Sequence, residues 1–274
     1  MSGLKTSKTY DILTFYTDYK SRITPKNLIG LFQEIATVQS DELKVGRKYM
    51  SNEDLLWVLI KYDIDIIRMP KYPEKIRIET YAMYTRKFYV YRKFEVYDED
   101  NNLITRAYSA WSLVNKKTKS LKKMPKELMN AYGCSENISE EKAEFEGLKT
   151  VKNPDLIKEF SIRYTDIDHN MHVNNTNYMS WAINSVPKDI VINYNLKKVS
   201  ILYRKEGKYG DTVTVETDIR KNDIIICNHD IKDKEGNILC QTKTKWIKWG
   251  DIVDRKLFMV DYSCFTSRSR RSHS

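Results

Sequence analysis

The sequence predicts an α+β fold built twice, each half an apolar helix followed by a meander of antiparallel strands. Three observations carry this expectation. The chain echoes itself once, each copy begins with a helical pattern, and each helix is followed by four segments rich in Tyr, Val and Ile. The echo is direct. Lys71-Tyr72-Pro73-Glu74-Lys75-Ile76-Arg77-Ile78-Glu79-Thr80 lies over Lys208-Tyr209-Gly210-Asp211-Thr212-Val213-Thr214-Val215-Glu216-Thr217, an offset of 208 − 71 = 137. Val96 to Ile104 lies over Ile231 to Leu239, and Trp111 over Trp246, both at an offset of 135. A period that long does not describe a solenoid, so it indicates two copies of one domain.

In the first copy Thr24 is placed to N-cap a helix with Pro25 in its first position, and Leu28, Leu31, Phe32, Ile35 and Val38 recur at intervals of three and four. Strands follow at Trp57 to Ile67, Ile76 to Tyr84, Tyr89 to Tyr97 and Ile104 to Val114. In the second copy Asn174 or Asn175 caps a helix carrying Tyr178, Trp181, Ala182, Ile183 and Val186 before Pro187. Its strands are Lys198 to Tyr203, Thr212 to Ile219, Ile224 to Ile231 and Ile238 to Trp246. Asp98 to Asn102 and Asp233 to Asn237 are turn sequences between neighbouring antiparallel strands. A lone helix has one apolar stripe to bury and a meander has one apolar face, so a curved sheet wrapped around the helix satisfies both. That is the hotdog architecture, here a tandem or double hotdog. The expected division is a first hotdog at 8–134, a linker at 135–150 low in apolar residues, a second hotdog at 151–250, and a tail at 251–274 ending in an Arg- and Ser-rich stretch.

Composition narrows the functional class. At 274 residues and 41% hydrophobic the chain has material for two cores, and no apolar stretch approaches the roughly 20 residues that span a bilayer. The first residues carry no apolar core of a secretory signal, so a soluble cytoplasmic protein without membrane insertion is expected. Cys134, Cys227, Cys240 and Cys264 lie far apart with no CxxC pattern, which indicates reduced thiols rather than a metal site or disulfide framework; no metal and no cofactor is expected. The net charge of +10 favours an acidic partner through long-range attraction.

The chemistry concentrates in Asp168-His169-Asn170-Met171-His172-Val173-Asn174-Asn175, directly before the second helix. In an extended loop Asp168, Asn170 and His172 project to one side. A helix N-terminus behind them offers N–H groups to a developing oxyanion, while His and carboxylate supply proton transfer, a set suited to attack on a carbonyl.

Asp168, Asn170, His172, Val173, Asn174, Asn175 and Tyr178, with Trp181 three residues on, match D-x-N-x-H-V-N-N-x-x-Y, and Tyr203, Arg204 and Glu206 match Y-R-x-E. Trp111-Ser112-Leu113-Val114-Asn115-Lys116-Lys117-Thr118, followed by Pro125, matches a strand-end segment of the first half. On these motifs the chain resembles, over roughly residues 10 to 250, the plant-type acyl-(acyl carrier protein) thioesterases and their bacterial relatives. The resemblance implies a hydrolase of fatty acid biosynthesis that releases free fatty acid from acyl carrier protein, with Asp168, Asn170, His172 and Glu206 as the catalytic group and no cofactor. Many plant members carry Cys directly after that Glu, where this chain has Gly207, so water rather than a thiol is the expected nucleophile. It further implies that the first half, where Tyr19-Lys20-Ser21-Arg22-Ile23 leads into the helix, supplies the acyl pocket, with Leu31, Phe32, Ile35 and Trp57 as candidate walls.

An acidic acyl carrier protein would meet a basic face, for which Lys116, Lys117, Lys119, Lys122, Lys123 and Lys126 are candidates. A homodimer stays open, since a tandem chain completes the usual hotdog pair by itself and such chains also associate further. Two rivals share the fold. An enoyl-thioester hydratase uses D-x-N-P-x-H, whereas here Met171 and His172 follow Asn170 directly. A non-enzymatic acyl-thioester sensor would need a partner module such as a helix-turn-helix, for which about 15 residues before the first element are too few. The Arg-rich end lacks the aromatic residues of a nucleic-acid surface, so nucleic acid is not an expected partner.

Overall fold

The protein is described here by a computed structural model covering residues 3–136, 141–168, 171–248 and 250. The first half runs β1 (Thr6–Asp11), α1 (Pro25–Glu42), α2 (Arg47–Asn52), β2 (Leu55–Ile66), β3 (Lys75–Arg86), β4 (Tyr89–Tyr97), β5 (Leu103–Asn115), a two-residue β6 (Leu121–Lys122), α3 (Lys126–Tyr132) and a two-residue β7 (Ser135–Glu136). The second runs β8 (Leu156–Ser161), α4 (Asn175–Ser185), α5 (Lys188–Asn193), β9 (Tyr194–Tyr203), β10 (Thr212–Lys221), β11 (Ile225–Lys232) and β12 (Ile238–Lys248). Among the described residues these strands form one sheet in the order β1-β3-β4-β5-β2-β9-β12-β11-β10-β8, with β6 beside β5 and β7 beside β3. The order reads the same from either end, so the tandem hotdog is a pseudo-dimer joined strand to strand at β2 and β9.

All eight expected strands form, most of them longer at one or both ends. β1 and β8 were not foreseen. Each is an edge strand with one neighbour, and its polar residues, such as Ser7, Lys8 and Thr9, are those that discourage further pairing. The duplication extends to detail. The Asp98 and Asp233 carboxylates accept the N–H of Asn102 and Asn237, both at 2.8 Å, and the indoles of Trp111 and Trp246 each donate to a hydroxyl two residues back at 2.8 Å.

α1 starts as its sequence dictates, with the Thr24 hydroxyl accepting from Asn27 N–H at 3.3 Å and Pro25 in the first turn. It buries Leu28, Ile29, Leu31, Phe32 and Ile35, with Phe32 stacked on Phe94 at 4.8 Å between ring centres. α4 is capped by Asn174, whose Oδ1 accepts from Thr176 N–H at 3.0 Å, and it buries Tyr178, Met179, Trp181 and Ala182. The two helices pack on each other, and a single apolar core runs through both halves. Burying side chains of this size contributes on the order of 1.5 to 3 kcal/mol each, which makes this shared core the main support of the site.

The β2–β9 seam is reinforced on the other face. Lys198 Nζ sits 2.5 Å from Asp63 Oδ1 and 2.8 Å from Asp65 Oδ1. Burial works against its charge, but the two carboxylates outweigh it and raise the Lys198 pKa above the ordinary lysine value. Residues 141–150, within the expected linker, run across this face. Glu141 accepts from Lys93 at 2.8 Å, Ala143 N–H donates to the Tyr84 hydroxyl at 3.1 Å, Glu146 N–H donates to Asp63 at 2.8 Å, and the Glu146 carboxylate meets Lys243 and Lys245 at 3.1 and 2.9 Å. The expected tail at 251–274, with Cys264, lies outside the described residues. No helix among the described residues is long and apolar enough to cross a membrane.

Candidate active site

Between Asp166 and the start of α4 the chain makes a tight turn, not the extended loop expected from the sequence. Asp168 N–H donates to His172 O at 2.8 Å, Met171 N–H donates to Asp168 O at 3.1 Å, and Ile167 bridges Val173. Met171 takes up the reversal at φ 64°, in the left-handed region that non-glycine residues seldom enter. The Asp168 carboxylate accepts the His172 N–H at 3.2 Å, so Asp168 holds the backbone that carries the imidazole. Asn170 lies outside the described residues.

Glu206 follows β9 and is brought to the turn by α4. The Tyr178 hydroxyl accepts Gly207 N–H at 2.9 Å and reaches Lys205 O at 3.5 Å, while the Tyr203 O–H donates to Asn175 O at 3.2 Å. Burial raises the Tyr178 phenol well above its ordinary pKa, so it stays a neutral clamp. The result is a contact of 3.1 Å between His172 Nε2 and Glu206 Oε2, with the two side chains 36% and 56% exposed. At that exposure the pair adds little to stability, and its consequence is geometric: a carboxylate and an imidazole stand within hydrogen-bond distance just before the start of α4.

Gly207 fits its place closely. A Cβ there would stand 2.9 Å from Ile162 Cδ1 and 3.3 Å from Val173 Cγ2, so a side chain would displace the Ile162 tip. The described thiols lie elsewhere. Cys134 and Cys227 are buried, and burial pushes their pKa up to about 11 and about 12; Cys240, on β12 opposite Tyr203, is also buried with its pKa raised by desolvation. All three are therefore neutral thiols at ordinary pH.

Sequence reasoning missed three positioning residues. Asp166 is 2% exposed; its carboxylate accepts Arg163 N–H at 2.8 Å, and its carbonyl accepts Asn174 N–H and the Asn177 amide, each at 2.8 Å. Asn177 Oδ1 in turn accepts from Lys26 Nζ of α1 at 2.6 Å, tying the site to the first half. The signal was present as an Asn three residues after each cap, Asn27 after Thr24 and Asn177 after Asn174.

Leu31, Phe32 and Ile35, expected as pocket walls, stand in the shared core, while Trp57 packs against a separate cluster that includes Val45, Met50 and Leu128. The lysine run is exposed on the β5–β6 hairpin and the start of α3, with Lys117 paired to Asp54 at 2.6 Å. β9 ends opposite Lys61 of β2, and β2 continues from there to Leu55 beside Asn115, so the hairpin rises from the same end of the sheet as Glu206, on the order of 20 Å along the strand.

Comparisons with known proteins bear on the family and the fold. The acyl-ACP thioesterase N-terminal domain matches residues 3–132 and its C-terminal domain residues 149–248. The chain superposes on a Lactobacillus plantarum protein assigned as an oleoyl thioesterase with a TM-score of 0.85 at 25% identity, covering 91% of this chain and 98% of that one. The 12:0-ACP thioesterase of Umbellularia californica shares the fold with a TM-score of 0.79 at 21% identity, over 89% of this chain and 94% of that one. In sequence it is 25% identical over 259 residues to the chloroplastic acyl-[acyl-carrier-protein] hydrolase FATB3 of Cuphea viscosissima, covering 89% of this chain and 63% of that relative. It is 28% identical over 232 residues to the chloroplastic oleoyl-acyl carrier protein thioesterase of Coriandrum sativum, 77% of this chain and 62% of that relative. The chain thus spans somewhat under two thirds of the length of these curated relatives. With both family domains matched in order along one double-hotdog sheet, the chain belongs to the acyl-ACP thioesterase family.

Proposed function

We propose that this protein hydrolyses the thioester of a fatty acyl-acyl carrier protein to free fatty acid and carrier thiol, using water as the nucleophile. The observation that carries the reading is the 3.1 Å contact of His172 Nε2 with Glu206 Oε2 beside the capped start of α4. Glu206 takes a proton from water as its oxygen attacks the thioester carbonyl carbon. His172 orients the carboxylate, and Asp168 fixes the turn that presents His172. Asn174 already satisfies the N–H groups of Thr176 and Asn177, so the Asn175 N–H, which has no acceptor among the described residues, serves the developing oxyanion together with Asn170. The tetrahedral intermediate collapses by breaking the C–S bond. The departing thiolate has a conjugate-acid pKa of about 8.5, leaves without strong acid assistance and takes up the proton.

In this reading the second half, 151–250, does the chemistry and the first, 8–134, contributes the acyl pocket. An acidic acyl carrier protein is the partner, supported by the carrier-protein substrates in the relatives' names and by the exposed lysine hairpin at the Glu206 end of the sheet. The buried unpaired thiols suit the reducing cytoplasm expected from the sequence. Both halves of the site lie in one chain, so turnover is expected to be independent of any homodimer.

The test is release of free thiol from a panel of acyl-carrier thioesters, with the liberated acids identified by mass. Thiol release abolished in Glu206→Gln and His172→Ala supports the assignment. A trans-2-enoyl thioester that is hydrated without thiol release would replace it with the hydratase reading, and tight binding without turnover with the sensor reading.

A further inference from the structure

The turn that carries His172 has a twin in the first half, at an offset of 150. Asp18 N–H donates to Arg22 O at 2.7 Å, Ser21 N–H donates to Asp18 O at 2.9 Å, and Asp18 Oδ1 accepts Arg22 N–H at 3.1 Å, with Ser21 at φ 56° where the second half has Met171. Thr24 N–H and the Asn27 amide both donate to Tyr16 O at 2.9 Å, as Asn174 and Asn177 do to Asp166. Arg22 therefore stands in the place of His172. After the strand the offset is 137, so Met69 stands in the place of Glu206. A thioether accepts no proton and a guanidinium gives none up, so this copy has lost the chemistry. It borders a cleft.

That cleft, of about 420 Å³, lies between the first-half turn and the second half. Ile23, Ile67, Met69, Val191, Leu196 and Trp246 give it apolar walls, and four cations face it: Arg22, Arg68, Lys71 and Lys197. Arg22 is tied to Asp18 and to Asn195 Oδ1, and Arg68 to Glu74 and Asp98. Lys71 and Lys197 meet no carboxylate within ion-pair distance among the described residues. Lys197 Nζ donates to Ile67 O at 2.6 Å, and burial alone lowers its pKa. Asp18 is the acidic group lining the cleft, and Arg22 already occupies it. Lys197, partly buried beside apolar walls with a carbonyl as its partner, and the exposed Lys71 both gain from a ligand that brings its own anion.

We infer that this twin site binds an anionic amphiphile, a carboxylate on a linear alkyl chain, with Lys197 and Lys71 holding the carboxylate and the Ile67, Leu196 and Trp246 walls holding the chain. Its volume falls within the roughly 300–1,000 Å³ of ordinary small-molecule sites. The inference stands apart from the hydrolytic reading, because it is argued from the cations and apolar walls of the cleft.

The probe is dodecanoate, used with the full-length protein. A dodecanoate bearing a terminal diazirine is photolysed on the protein and the labelled peptides are mapped, while calorimetry compares dodecanoate with dodecanol. Labelling within 67–71 and 183–196 is expected, with dodecanoate bound about tenfold more weakly by Lys71→Gln/Lys197→Gln and dodecanol unaffected. Unchanged melting temperature in that variant shows that the fold is intact, and the photolabelling position answers the question without any variant. Labelling confined to 166–178 and 203–207, no saturable binding, equal weakening of dodecanol, or a site that accepts dodecyl phosphate and refuses dodecanoate would each overturn the inference. Thiol release is measured separately, so failure of either reading leaves the other standing.

Discussion

The turns at 16–27 and 166–177 share their hydrogen bonds and differ in what they can do. In the first, Arg22 is nearly buried and closes an ion pair with Asp18; in the second, His172 is half-open and faces Glu206. The fold thus specifies the backbone of the turn, while two positions, Arg22 against His172 and Met69 against Glu206, decide what each turn brings together. The same division runs through the strands. Phe94 and His229 hold equivalent positions, opposite Thr80 and Thr217 respectively; Phe94 is stacked on Phe32, whereas His229 is buried with Nδ1 on the Thr217 hydroxyl at 2.9 Å and Nε2 unpartnered among the described residues.

The largest expected contrast is catalytic. His172→Ala and Glu206→Gln should each lower turnover by about 10² to 10⁴ with little change in melting temperature, since general acid–base groups are worth that much and this pair is exposed. Measured thiol release equal to wild type in a folded variant would remove the residue from the mechanism.

Next is acid stability. Burial lowers the His229 pKa to about 3, against about 6.5 in the unfolded chain. A depressed folded value means that the unfolded chain binds the extra proton first. Stability is therefore full above pH 6.5 and falls by roughly 1.4 kcal/mol per pH unit as pH drops toward 3. His229→Phe, which installs the first-half residue, should flatten that slope by one proton in denaturant titrations from pH 6 to pH 4; an unchanged slope would mean that His229 is protonated or hydrated in the fold.

Arg22→Met should cost roughly 1 to 3 kcal/mol in chemical denaturation because Asp18 is left without its partner, unlike His172→Ala. Tyr178→Phe removes the acceptor of Gly207 N–H and should cost about 1 kcal/mol of stability. Its kinetic signature is a lower kcat at unchanged KM, as expected when a base is misplaced without loss of substrate contacts. The smallest effect is expected from Lys119, Lys122 and Lys123 changed together to Gln: a severalfold rise in KM for carrier-bound substrate, reduced at high salt, and less for acyl-CoA. An equal rise for both substrates would move docking elsewhere.

Much of this was legible in the sequence. Alternating Tyr, Val and Ile gave the eight long strands, and Thr24-Pro25 and Asn174 gave the helix starts, because caps and alternation are local physics. The edge strands were not legible, since a strand with one neighbour and exposed Lys lacks the apolar pattern. The twin turn was hidden for another reason. The offset is 150 before the helices and 137 after them, so 150 − 137 = 13 residues are missing from the second copy in between, and a single offset cannot align both. Glu206 came from a motif, but the means of its placement, Tyr178 gripping Gly207 N–H, needed coordinates because it joins residues 29 apart.

The seam of β2 and β9 carries a last implication. When one gene encodes identical subunits that pair through such an edge, every substitution appears twice, and a change that ruins one active centre ruins its mate. Covalent fusion lifts that symmetry, so Arg22 and Met69 can stand in one copy where His172 and Glu206 stand in the other.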